Sequence, residues 1–120
     1  MAGVVANEVF DAALSYISAN VNKVKLLTSG SSVVVSVSSG IDSGDFSGPG
    51  DGTSGRKISC LTSSAVASQA VSAAGAINKL QLLKSSTVVI QADISGSDVS
   101  VGSSDTVTIG SFKVELADPA

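Results

Sequence analysis

The sequence predicts a mainly β protein with one N-terminal α-helix, built as an antiparallel β-sandwich or small barrel of about seven to eight short strands. Three observations carry this reading. After Asn20 the hydrophobic period changes from 3.6 residues to two. Turn-forming Ser and Gly clusters then recur about every 8–12 residues, the spacing of an all-β domain. The apolar runs between them follow one another too closely for helical crossovers between parallel strands.

The helix is expected over 7–19. Asn7 can cap it, and Glu8 and Asp11 suit its positive N-terminal end. Val9, Phe10, Ala13, Leu14 and Ile17 fall at helical spacing and form an apolar face, for packing on a sheet or for binding a neighbouring subunit. Asn20 tolerates the left-handed conformation that ends many helices. Residues 21–28 alternate loosely, Val24 and Leu26 against Lys23 and Lys25. Val33-Val34-Val35-Ser36-Val37 is a β-branched run between turn residues, which suits a strand.

Residues 38–54 form the longest irregular stretch, with Asp42, Asp45 and Asp51 interleaved among glycines and Pro49. A loop of that length in a compact domain is usually functional or mobile. Phe46 is its one large apolar side chain, either a pin into the core or a contact for another chain. A strand is expected over 57–62. Residues 63–75 fit a short helix or an irregular extended segment. Residues 76–84 and 87–94 read as a hairpin around Ser85-Ser86, and 99–101, 106–109 and 112–116 as further short strands. The length of 120 residues suits a single domain: an N-terminal segment with its helix over 1–20, and a β-rich body over 21–120 with a long Gly/Ser/Asp loop at 38–56.

Composition narrows the function. The chain holds no His, one Cys, no Trp and a formal charge of −3. The commonest acid–base catalyst and metal ligand is therefore missing, and a lone Cys60 allows neither an internal disulfide nor a Cys-cluster zinc site. With no His to activate it, Cys60 is a poor nucleophile and reads as a reduced, part-buried thiol. No basic patch or stacking aromatics suggest nucleic acid. No apolar run is long enough for a membrane helix, and the start lacks the basic leader of a signal peptide. The expectation is a protein made in the cytoplasm, without cofactor or metal, and not an enzyme.

Two loops invite chemistry. Asp42, Asp45 and Asp51 could offer oxygens to calcium, but the EF-hand spacing is absent and solvated turn formers are the expected role. Residues 48–57, Gly-Pro-Gly-Asp-Gly-Thr-Ser-Gly-Arg-Lys, look superficially like a phosphate-binding loop. A true one needs Gly-Lys-Ser/Thr opening a helix, whereas here Gly55 precedes Arg56-Lys57 and a strand.

What dominates instead is small: 24 Ser and 12 Gly make up 30% of the residues, beside 17 Val. Such side chains lose little rotamer entropy on burial, so many weak contacts between copies can add up. With so few aromatics, a marginal monomer supported by its neighbours is expected.

Three stretches carry a likeness: residues 8–17 (Glu-Val-Phe-Asp-Ala-Ala-Leu-Ser-Tyr-Ile) with 25–29 (Lys-Leu-Leu-Thr-Ser); residues 45–57, from Asp45-Phe46 through Gly55-Arg56-Lys57; and residues 112–119 (Phe-Lys-Val-Glu-Leu-Ala-Asp-Pro). Together they resemble a family of small structural proteins of tailed bacteriophages and prophages. The chain departs from the family pattern across 66–84, where a Thr-His-aromatic strand gives way to Val66-Ala67-Ser68-Gln69-Ala70 and Asn78-Lys79-Leu80-Gln81-Leu82. The resemblance implies a virion component. A capsid decoration or cement protein is the first expectation, a tail, neck or fibre component the next, and a non-viral sandwich-type adhesion module a third. The implied partners are the major capsid protein and copies of the chain itself, with no nucleic acid and no membrane. The candidate contact residues are Val5, Val9, Phe46 and Arg56. Arg56 has a local alternative, pairing with an Asp of its own loop.

Overall fold

In a computed structural model, residues 6–38, 40–53, 55–61, 69–94 and 99–117 are described. The chain is mainly β, with one helix at its N-terminal end. Helix α1 (Asn7–Asn20) is followed by β1 (Lys23–Leu27), β2 (Val33–Val37), a 3-10 turn (Ser43–Asp45), β3 (Phe46–Asp51) and β4 (Gly55–Cys60). Then come β5 (Gln69–Ala70), β6 (Gly75–Ile77), β7 (Lys79–Lys84), β8 (Thr87–Asp93), β9 (Val99–Val101), β10 (Thr106–Val107) and β11 (Phe112–Ala117). These eleven strands exceed the seven or eight expected. The surplus comes from β3, which runs through the stretch expected to be a loop, from β5 in the undecided segment, and from β6, which divides from β7 where one strand was expected over 76–84.

All pairings are antiparallel. A four-stranded sheet has the order β2-β1-β7-β8, and a three-stranded sheet the order β11-β4-β3. Strand alternation sorts their faces. In the larger sheet, Val24, Leu26, Val35, Val37 and Leu82 share one register face and are buried. Lys25, Ser36, Gln81 and Gln91 occupy the other. In the smaller sheet, Phe46, Ile58 and Cys60 face inward, while Ser59, Lys57, Lys113 and Glu115 take the opposite face. Both inward faces feed one buried cluster, completed by Leu14 and Ile17 of α1. The arrangement is sandwich-like, with the helix lying against β3, β4 and the 3-10 turn.

The ends of α1 differ from the expectation. Ala6 takes the N-cap position without a side-chain bond, and Asn7 is already inside the helix. Asn20 also stays helical: its amide Nδ2 donates to the carbonyl of Tyr16, and Val21 leaves in an extended conformation. The apolar face splits too. Leu14 and Ile17 are buried and Phe10 is half-buried, whereas Val9 and Ala13 are exposed. Each residue turns the helix by about 100°, so Val9 and Ala13 lie on the flank of the Phe10–Leu14–Ile17 line.

The β7–β8 hairpin turns at Ser85-Ser86 as expected. Ser85 has φ of 55°, and the Oδ1 of Asn22 accepts its N–H at 2.9 Å. The β3–β4 hairpin depends on Gly48, whose φ is 120°. A Cβ there would stand 3.1 Å from the carbonyl oxygen of Lys57, so only glycine lets the two backbones approach. Residues 63–68 of the undecided segment lie outside the described residues. Its remainder is extended, with the N–H of Ser72 donating to the carbonyl of Val34 at 2.7 Å.

Leu82 is fully buried between both sheets, and Val88 is 44% exposed on the same hairpin. Leu82→Ala is expected to cost about 2–5 kcal/mol in urea unfolding, by lost transfer energy plus a residual cavity. Val88→Ala should stay within about 0.5 kcal/mol of the parent, the range of ordinary surface substitutions.

Candidate assembly surface

The four candidate contact residues have different fates. Val5 lies outside the described residues. Phe46 is 8% exposed and opens β3 as part of the buried cluster, which is the pin and not the contact. Its place follows from register: opposite Cys60, it must face the core. Arg56 is drawn into the molecule as well. Its Nε donates to Asp11 Oδ1 at 2.8 Å and its Nη2 to Asp11 Oδ2 at 3.1 Å, a two-pronged pairing with the helix. Its Nη1 donates to Asp51 Oδ1 at 2.7 Å, across the hairpin. The side chain is 17% exposed. Hydrogen bonds donated to the Asp11 and Asp51 carboxylates hold the guanidinium even more firmly charged than usual. The expected local partner, Asp51, is thus joined by a distant one that the sequence did not suggest.

Of the three described candidates, Val9 is the exposed one, at 57%. Tyr16 stands one helical repeat further along at 51%, with Ala12 and Ala13 exposed between them. These four residues follow the i, i+3, i+4, i+7 spacing of one helix stripe. Tyr16 was not among the candidates. The signal that could have found it is this same spacing, started from Val9 instead of Phe10.

The loop acids are spent on structure. Asp42 Oδ1 accepts the N–H of Gly44, and Asp45 Oδ2 accepts the N–H of Asp42, both at 2.8 Å, in a reciprocal capping box. Asp45 is buried and Asp51 holds Arg56, so the three carboxylates do not converge. Among the described residues no three acidic or thiol groups gather as a metal site would require. Residues 48–51 belong to β3, and Gly55, Arg56 and Lys57 open strand β4 instead of a helix, so the phosphate-loop arrangement is not built.

Cys60 is fully buried, and burial pushes its thiol up to about 11, with a hydrogen bond from the Val114 backbone pulling weakly the other way. It is a small core side chain held in its unreactive form.

A second surface was not legible at all. An open apolar cleft of about 450 Å³ lies between β7–β8 and β11, lined by Leu80, Ile90, Ala92, Ile94, Phe112 and Val114. A smaller hollow of about 270 Å³ shares Leu80 and Ile94 with it. Asp93 and Lys113 stand at the rim of the larger one. The lining joins the β7–β8 hairpin to β11 of the other sheet, so only the tertiary fold reveals it. No helix among the described residues is long and apolar enough to cross a membrane.

No protein-family model, no curated protein and no solved structure matches this chain.

Two predictions follow from the side-chain geometry. Asp11→Asn and Arg56→Lys should each lower the melting temperature, and the double variant should lower it by less than the two effects added, because both break the same pairing. For Cys60, the unfolded thiol ionises from about pH 9 while the folded one stays protonated to about 11. The unfolded chain therefore binds fewer protons in that window. The contribution is complete below pH 9 and lost as pH rises to 11. Denaturant titrations at pH 8, 9, 10 and 11 should show a steeper decline for the parent than for Cys60→Ala.

Proposed function

We propose that this chain is a non-catalytic structural protein of a tailed-bacteriophage virion, acting as a capsid decoration protein that binds the head lattice at subunit junctions. One observation supports this reading above others. The larger part of the three stretches that resemble the phage family, distant in sequence, folds into one contiguous unit, while residues 25–29 lie in β1 and the turn after it, in the other sheet. Residues 8–17 lie in α1, residues 46–51 and 55–57 belong to the β3–β4 pair against it, and residues 112–117 are β11, paired along all of β4. Arg56, within the most specific of the stretches, ties the hairpin to Asp11 in the first. A likeness scattered over unrelated parts of a fold would carry little. A likeness that traces one packed unit suggests a shared module.

The chemistry of the side chains agrees with this. Arg56, Asp11, Asp51, Asp42 and Cys60 are each committed to neighbours within the fold. The surfaces left for partners are apolar and shaped for packing: the Val9–Tyr16 stripe and the cleft beside β8. The protein would be made in the host cytoplasm and reside in the particle, against the major capsid protein and copies of itself, with no cofactor.

Purified particles from the host that encodes this chain test the reading by quantitative mass spectrometry. Hundreds of copies per particle are expected. Three, six or twelve copies would move the protein to the tail or neck, and its absence from particles would overturn the virion reading. Val9→Asp should lower occupancy about tenfold, the loss of a buried apolar contact worth about 1.4 kcal/mol, with an unchanged melting temperature. Phe46→Ala, by contrast, should lower the melting temperature, through a loss of about 3–5 kcal/mol of stability.

A further inference from the structure

Exposed strand edges invite pairing, and folded proteins blunt them with proline, glycine, charge or cover. Three of the four edges of the two larger sheets are blunted. β3 carries Gly48, Pro49 and Gly50. β11 carries Lys113 and Glu115. The outer side of β2 is met by Ser72, bonded to Val34. β8 is different. It is seven residues long, Thr-Val-Val-Ile-Gln-Ala-Asp, with no proline, glycine or lysine and its one charge at the last position; its one irregularity, a register shift at Val89, falls before the regular run Ile90–Asp93. It ends its sheet, and among the described residues only β7 pairs with it.

We propose that β8 is a self-pairing edge, through which two copies of this chain join antiparallel about a two-fold axis at Gln91. The register of the existing sheet makes this edge complementary to itself. Leu80 pairs with Ala92, Gln81 with Gln91 and Leu82 with Ile90. An axis at Gln91 sets Ile90 opposite Ala92 of the second copy and Gln91 opposite itself. On the inner face the rows then run Leu82, Ile90, Ala92, Leu80 without a polar interruption. On the outer face the row Lys25, Gln81, Gln91 continues into its own mirror sequence. The amides meet at the centre, where Gln81 Nε2 already donates to Gln91 Oε1 at 2.7 Å within each copy. The two Lys25 side chains fall five strand spacings apart, about 24 Å, and the two Asp93 about 14 Å apart along the strands. Both separations exceed the screening length of about 8 Å at physiological salt.

An axis shifted to Ile90 lacks this fit. It would place Ala92 opposite Val88, which the register shift after Leu82 pairs with Leu83, a residue of the opposite face. The Gln91 axis merges two four-stranded sheets into one of eight and lays the second copy's Ile90 beside the apolar cleft. Closed two-fold pairing consumes both edges, so the contact stops at a dimer. The proposal names a self-contact for the structural protein inferred above and rests on that reading only for its purpose; its test needs no particle.

Sedimentation equilibrium of the full chain should show a monomer–dimer equilibrium with Kd below about 1 mM; a monomer at that concentration overturns the proposal. Gln91→Lys and Gln91→Glu change an exposed side chain and set like charges directly opposite. Each should weaken the dimer about fivefold, and an equimolar mixture should recover it as a heterodimer. Variants that dimerise like the parent, or a mixture that stays weak, overturn it. Gln91→Cys should form a disulfide-linked dimer under mild oxidation, because directly opposite Cα atoms lie about 4.5–5.5 Å apart and Cys60 is buried. Failure to cross-link while the parent dimerises places the interface elsewhere and overturns the proposal. A dimer in solution with no copies on particles would sink the virion reading alone, and decorated particles with a monomeric chain would sink this one alone.

Discussion

The Arg56 guanidinium joins two parts of the chain 45 residues apart, and much of the fold is organised around it. One carboxylate it grips belongs to the helix, the other to the turn end of the β3–β4 hairpin. The helix needs that grip. Its first residue carries no side-chain cap, its last turn has no basic residue, and 14 residues are marginal for a helix standing alone. Once docked, the helix places Leu14 and Ile17 over Phe46, Ile58 and Cys60 and closes that side of the core. Packing supplies most of the energy there, but a planar two-pronged pairing fixes the angle at which the helix lies.

The small residues that make the composition unusual have a clear division of labour. Ser and Gly serve at the turns, as at Ser85 and Gly48, and Val, Leu and Ile fill the inward faces of the strands. With three Phe and one Tyr in the chain, the core is closed almost wholly by aliphatic side chains. That leaves little bulk to seal the open side of the sandwich. The cleft between β8 and β11 sits there, where the rims of the two sheets diverge.

Much of this was legible in the sequence, for physical reasons that can be named. β2 matched the expected Val33–Val37 because a β-branched run between turn formers has few other conformations open to it. The hairpin at Ser85-Ser86 and the helix were legible because their hydrophobic periods are strong. β3 was hidden because Gly48, Pro49 and Gly50 read as a loop, although an edge strand tolerates them. The fate of the candidate residues turned on tertiary partners. Phe46 faces inward through its pairing with Cys60, and Arg56 finds an acid from a distant helix. Neither partner leaves a local signal. Val9 was legible as a surface residue only once Leu14 and Ile17 had settled which side of the helix is inside.

The distance between Arg56 and Asp11 also sets an order of events during synthesis. The helix leaves the ribosome before the hairpin, and the side chain that anchors it is added 45 residues later. At about 5–20 residues per second, the helix waits a few seconds for its anchor. During that time its apolar face has neither hairpin nor sheet to cover it. The helix is therefore made before its anchor and secured late, and the moment of docking coincides with the emergence of the Gly-rich hairpin.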